Sequence, residues 1–124
     1  MSTLRVDTIQ NAAGTDSPIS VPGTAKAWVN FNGTGTVAIR ASFNVSSITD
    51  NGVGLYTVNF TTALVDSNYS AVCSGSRSSS FLGYGVFKAR PSSASACPVY
   101  FYFEDSYSGE GAMDGDVLCV SIFR

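Results

Sequence analysis

Gly54-Leu55-Tyr56-Thr57-Val58-Asn59-Phe60 is the stretch that decides the fold. Tyr56, Val58 and Phe60 alternate with Thr57 and Asn59. That period of two places three apolar side chains on one face of a strand and two polar ones on the other. Working outward, the same period recurs at Val37-Ile39-Ala41-Phe43, set against Arg40, Ser42 and Asn44. Further strand-like runs are Tyr69 to Ser74, Gly83 to Ala89, Val99 to Phe103 and Asp116 to Phe123, and Lys26 to Gly33 opens the β-rich domain. Turn material separates them at Asn32-Gly33, Asp50-Asn51-Gly52, Asp66-Ser67-Asn68, Pro91-Ser92-Ser93 and Ser108-Gly109. No stretch carries a helical stripe longer than a turn or so. About seven short strands with regular turn signals predict an all-β chain, an antiparallel β-sandwich or jelly-roll-like knob.

Two runs depart from simple alternation. Val99-Tyr100-Phe101-Tyr102-Phe103 is apolar or aromatic at every position, and Val117-Leu118-Cys119-Val120-Ser121-Ile122-Phe123 nearly so. An antiparallel sheet in a small sandwich normally turns one face to water. Strands greasy on both faces therefore predict a second surface sealed by another copy of the chain, with cover by the arm or a long loop the alternative. Val99, Phe101, Phe103, Leu118, Val120 and Ile122 are the expected subunit interface, and a cyclic homo-oligomer the expected assembly.

The chain has 124 residues, enough for one domain with a modest core. Residues 25–124 hold the strand pattern. Residues 1–24 are polar and too poor in apolar side chains for a core of their own, so they read as an extended arm. Within the arm Leu4, Val6 and Ile9 are the apolar points that would anchor it to a neighbouring protein by adding a strand.

Charged residues make up 13% of the chain and the net charge is −2. Ser, Thr, Gly and Asn cover the surface with neutral hydrogen-bonding groups instead. The seven basic residues are scattered, so the clustered positive footprint that nucleic-acid binding needs is missing. No apolar stretch is long enough for a membrane span, and no hydrophobic signal core opens the sequence, so neither insertion nor Sec-type export is expected.

Chemistry is sparse. There is no histidine, which removes Ser-His and Cys-His nucleophile pairs. Cys73, Cys97 and Cys119 are widely spaced, lie in or beside strand-like stretches and read as small buried hydrophobes, with one disulfide the alternative. Zinc binding is remote without histidine to supplement them. Acidic residues gather late in the chain at Glu104, Asp105, Glu110, Asp114 and Asp116. They read as a solvated loop, since the spacing of a calcium loop is absent. Glu104 and Glu110 would serve glycoside hydrolysis only if they faced each other. No cofactor, metal or catalytic residue is assigned. The remaining candidates are exposed aromatics and loops. Arg77, Phe81, Tyr84 and Tyr107, with Tyr100 and Tyr102, mark a surface on which sugar rings would stack, with packing or subunit contact the alternative for the strand tyrosines.

A family resemblance rests on three stretches. Ser2-Thr-Leu-Arg5-Val6-Asp7-Thr8-Ile9-Gln10-Asn11-Ala-Ala-Gly14-Thr15 resembles the start of many tail-fibre-type proteins of tailed phages, cyanophages especially. Ala25 to Gly33, and then Ile39 to Ile48 with Gly54 to Phe60, are similar to a module of such fibre and virion proteins. The resemblance covers roughly residues 1–15 and 25–72. It implies a virion component, usually homotrimeric, without cofactor or catalytic residues, made in the host cytoplasm and released on lysis. Its partners would be itself, other virion proteins through the arm and a host surface glycan. A fibre projects through a long shaft, whereas about two dozen residues precede the domain here. A tail-fibre or receptor-binding part is the first expectation, a capsid decoration protein the alternative, and a lectin-like module the second alternative.

Overall fold

The computed structural model describes Ser2 and residues 23–77, 84–105 and 109–124, with side chains over 23–77, 85–102 and 111–124. These residues form nine strands: β1 (Ala25–Asn32), β2 (Ala38–Phe43), β3 (Val45–Gly52), β4 (Leu55–Phe60), β5 (Ser70–Ser76), β6 (Tyr84–Ala89), β7 (Ala96–Asp105), β8 (Gly109–Ala112) and β9 (Val117–Phe123). One sheet has the order β2-β1-β9-β5, the other β3-β4-β7-β6. Every pairing is antiparallel. The chain is an all-β sandwich.

Alternation decides what each strand buries. On β4, Tyr56, Val58 and Phe60 point inward, as their period of two requires, and all are buried. They meet Ala27, Val29 and Phe31 of β1 and Leu118, Val120 and Ile122 of β9 in one core. Fully burying a side chain of this size stabilises by ~1.5–3 kcal/mol. Phe31 joins the two sheets, edge-on to Tyr56 with ring centroids 5.3 Å apart and to Phe87 of β6 at 6.5 Å. Phe87 in turn meets Phe101 at 5.8 Å. Phe101 and Leu118 reach the positions of Gly75, Gly85 and Gly115 so closely that a Cβ at any of the three would collide with one of them. Glycine at those sites is the counterpart of large neighbours.

The expected subunit interface is corrected by this core. Val99, Phe101, Leu118, Val120 and Ile122 are almost wholly enclosed by the chain's own two sheets. Both strands are central in their sheets, so their inward positions face the opposite sheet and are closed to a second subunit. Phe103 lies opposite Gly85 and Gly111 in the backbone register, and its side chain is outside the described residues. The outward positions of the same strands are only partly covered: Pro98, Tyr100 and Tyr102 on β7, Cys119 and Ser121 on β9.

Three local readings also move. Val37, Ile39, Ala41 and Phe43 do not share a face, because the register slips between Asn30 and Phe31. Asn30 lies opposite Ala41 and Phe31 opposite Ile39, leaving Arg40 as the extra residue of a bulge. The turn expected at Asp50-Asn51-Gly52 sits two residues later, at Val53-Gly54, with β3 running through Gly52. The third concerns the cysteines. All three are free, but only Cys97 is fully buried, Cys73 and Cys119 being half-buried.

The turn after β3 is held by Gly54. Its φ of 68° favours glycine, and a Cβ there would strike the carbonyl oxygen of Phe101. The Gly54 carbonyl accepts from the Phe101 N–H at 2.8 Å, while the Phe101 carbonyl accepts from Met113 N–H at 3.2 Å. One residue of β7 thus passes from β4 to the lane continued by β8.

Candidate functional site

Residues directly opposite each other on antiparallel strands share a face, so the register maps both outer surfaces. On the four-stranded sheet one row runs Phe43, Trp28, Ser121, Val72 across β2, β1, β9 and β5. The adjoining row runs Ala41, Asn30, Cys119, Ser74. Beyond the first row, Phe123 sits between Ala25 and Ser70. Trp28 is 39% exposed, Val72 59% and Phe123 38%, large apolar groups that the chain leaves in water. None of the residues in these rows carries a charge. At the bulge beside them the Arg40 guanidinium reaches the Asn30 amide oxygen at 3.4 Å.

The other outer face has a different character. Its rows are Gly52, Leu55, Tyr100, Lys88, then Thr49, Thr57, Pro98, and then Ser47, Asn59, Ala96. The Asn59 amide donates to Ser47 Oγ at 3.1 Å and to Thr49 Oγ1 at 2.9 Å, and the Asn51 amide to Thr57 Oγ1 at 2.9 Å. Lys88 Nζ lies 4.6 Å from the centre of the Tyr102 ring, over its face. This is a hydrophilic surface with tyrosines set into it.

Side chains with acid–base chemistry hold the frame together. The Tyr56 hydroxyl donates to Asp114 Oδ1 at 2.7 Å, with the Gly33 carbonyl 3.1 Å away, and Gly54 N–H donates to the same carboxylate oxygen at 2.9 Å. Burial, then the bond to Asp114, raises the Tyr56 pKa well above that of free tyrosine. Tyr69 donates to the Ala96 carbonyl at 3.1 Å, and burial raises its pKa likewise. Burial pushes the Cys73 thiol up to about 12 and the Cys97 thiol upward as well, keeping both protonated and unreactive. Arg124 clamps Asp66 with two bonds, Nε to Oδ1 at 2.9 Å and Nη2 to Oδ2 at 2.8 Å. That pairing holds the Asp66 carboxyl down at about 2.

The expected acidic loop is therefore corrected in part. Asp114 is a structural acceptor, and Asp116 ties β5 to β9 through its N–H, 3.0 Å from the Ser76 carbonyl. Glu104 stands opposite Glu110 in the β7–β8 register, with Tyr84 opposite Glu104 on the other side. The side chains of those three lie outside the described residues. Among the described residues no group of three or more His, Cys, Asp or Glu comes together to hold a metal ion.

Of the sequence-predicted ligand surface, Arg77 is exposed just past the end of β5. Phe81 and Tyr107 lie outside the described residues, as do the arm residues Leu4, Val6 and Ile9. Sequence reasoning missed the Trp28–Val72 row. The signal that was available is that Trp28, Val72, Cys119 and Ser121 occupy the off-core phase of their strands. Finding the row also required knowing that β1 and β5 flank β9. Compared with known proteins, the chain matches no family model, no curated protein and no solved structure.

Proposed function

We propose that this chain is a structural protein of a phage virion. In this reading it is a β-sandwich knob that assembles as a homotrimer and is fastened to the particle by residues 1–24. The observation that carries the reading is the outer face of the four-stranded sheet, where Trp28, Val72 and Phe123 stand exposed among small neutral side chains, beside a frame in which Tyr56, Tyr69, Asp114, Asp66 and Arg124 are engaged in structural bonds. Such a surface serves lasting contact rather than turnover. The tail-fibre-like opening sequence, with Leu4, Val6 and Ile9 as anchors, supplies the second support.

Within a virion the favoured place is a tail-fibre or receptor-binding part, with shell decoration the alternative. Copy number per particle separates them: a few tens of copies belong to a tail, hundreds to a shell. The direct test is incorporation. Trimmed of residues 1–20, the protein stays folded and assembled but fails to join particles. Normal incorporation of the trimmed chain overturns the anchoring role.

A second reading, a glycan-binding module, is favoured by Tyr100 and Tyr102 beside Lys88 on the other outer face. It requires glycan binding by the knob without its arm, abolished by Tyr100→Ala.

A further inference from the structure

We infer that the row Phe43–Trp28–Ser121–Val72, on the outer face of the four-stranded sheet, is the surface by which copies of this chain join one another. The inference rests on the assembled-knob reading and gives it a location. That location differs from the one the sequence suggested, since the inward residues of β7 and β9 are already enclosed.

Three observations select a second copy as the occupant. The first is charge. Apart from Arg40 at the β2 bulge, whose guanidinium reaches the Asn30 amide oxygen, the face carries no charged side chain and offers a foreign partner little to complement, and charge complementarity is what usually gives unlike partners their specificity. Two copies whose only charge is Arg40 at the β2 edge meet with little like-charge repulsion. The second is relief. Trp28 and Val72 stand on either side of Ser121 in one row, and the next row holds the small side chains Ala41, Cys119 and Ser74. Projections and hollows therefore lie on the same surface, so copies turned toward a common axis can seat the projections of one in the hollows of the next. The third is area. Four strands ~4.8 Å apart and about six residues long at ~3.3 Å each outline roughly 400 Å² of flat face. Side-chain relief raises the accessible area above that figure, toward the ~600 Å² per partner at which specific interfaces begin. The opposite face lacks these properties: its polar groups are bonded to one another and Lys88 stands among them.

The test uses the whole chain and light scattering over a dilution series. Val72→Glu places a carboxylate on an exposed edge strand, where folding tolerates it, and buries that carboxylate unpaired if the face is an interface. Association then weakens about 100-fold or more. Leu55→Glu, on the other outer face, is the control and leaves assembly unchanged. The Cys119 thiol gives a second measurement that does not depend on any variant. In the assembled protein it resists a thiol-alkylating reagent, and on dilution to single chains it becomes labelled. If Val72→Glu fails to fold by circular dichroism, this protection decides the matter alone. A wild-type chain that is single at every concentration overturns the inference, while particle incorporation still tests the virion reading. An assembled wild type whose Val72→Glu variant also assembles, or whose Leu55→Glu variant falls apart, overturns the location and leaves the assembled knob standing. A single wild-type chain with Cys119 protected assigns the face to the arm and also overturns the inference.

Discussion

Asn44 is where the chain leaves one sheet for the other, between β2 and β3, and its amide does most of the joining. The side-chain nitrogen donates to the Lys26 and Thr62 carbonyls, each at 3.0 Å, and the side-chain oxygen accepts from Thr62 N–H at 2.8 Å. Its φ is 54°, a left-handed backbone that asparagine tolerates better than most residues. Asn44→Ala loses all three bonds and adds strain, and should destabilise by ~2–4 kcal/mol. Asn44→Gly loses the bonds alone and should fall between the two. The urea midpoints, at unchanged slope, give the order; an Asn44→Ala variant as stable as the parent would refute the assignment. Tyr56 makes a similar case in the core. Tyr56→Phe keeps the ring against Phe31 but deprives Asp114 of its hydroxyl partner, leaving the Gly54 N–H, and should cost ~1–2 kcal/mol. The parent also loses stability as pH rises past ~10, where the unfolded tyrosine ionises and the folded one does not. Tyr56→Phe should show a weaker alkaline loss, with the parts due to Tyr69, Cys73 and Cys97 remaining.

At the scale of elements, β9 carries the four-stranded sheet between β1 and β5, and its end is pinned by the Arg124–Asp66 pair. Asp66 sits in the connection after β4, so this pair ties the last strand to the loop that leads into β5. Because pairing lowers the folded carboxyl to about 2, against ~4 in an unfolded chain, the bond stabilises above pH ~4 and is lost as pH falls toward 2. Arg124→Ala should remove that part of the acid dependence and leave neutral-pH melting little changed, because both groups face solvent and salt screens them. Melting curves from pH 2 to pH 6 test it. The strong strands were legible in the sequence because burial imposes a period of two, as at Tyr56-Val58-Phe60 and Leu118-Val120-Ile122. β3 was not: among Val45-Ser-Ser-Ile48-Thr-Asp-Asn-Gly52 only Val45 is buried and Ile48 half-buried. An edge strand wet on most positions leaves no periodic mark. β8 escaped for another reason, since Gly109-Glu-Gly-Ala112 has no strand propensity and is held by pairing with β7. The bulge at Arg40 reversed the reading of β2, because one extra residue sends later side chains to the opposite face.

For the whole molecule, the sequence told which strands were too greasy for water on one side only, but not which of their faces the chain would close by itself. That distinction depends on strand order, a non-local property: Trp28 and Val72 are far apart in sequence and become row-mates only because β1 and β5 both pair with β9. Inward positions of β7 and β9 were sealed by the second sheet, and what remained open was their outward phase. The consequence is thermodynamic. If copies meet on that open face, folding and association share one equilibrium, and mass action makes the melting temperature depend on protein concentration. Unfolding entropy near ~2 cal/mol/K per residue over 124 residues sets the scale. For a chain that unfolds as it dissociates, each tenfold rise in concentration should lift Tm by about 3 °C for a dimer and about 4 °C for a trimer. A chain that folds alone should show no change, and Val72→Glu should behave as such a chain, melting at one temperature across the series. Calorimetry at three concentrations distinguishes the cases: a flat line for the parent would mean that Trp28, Val72 and Phe123 remain in water and the sandwich stands by its own core.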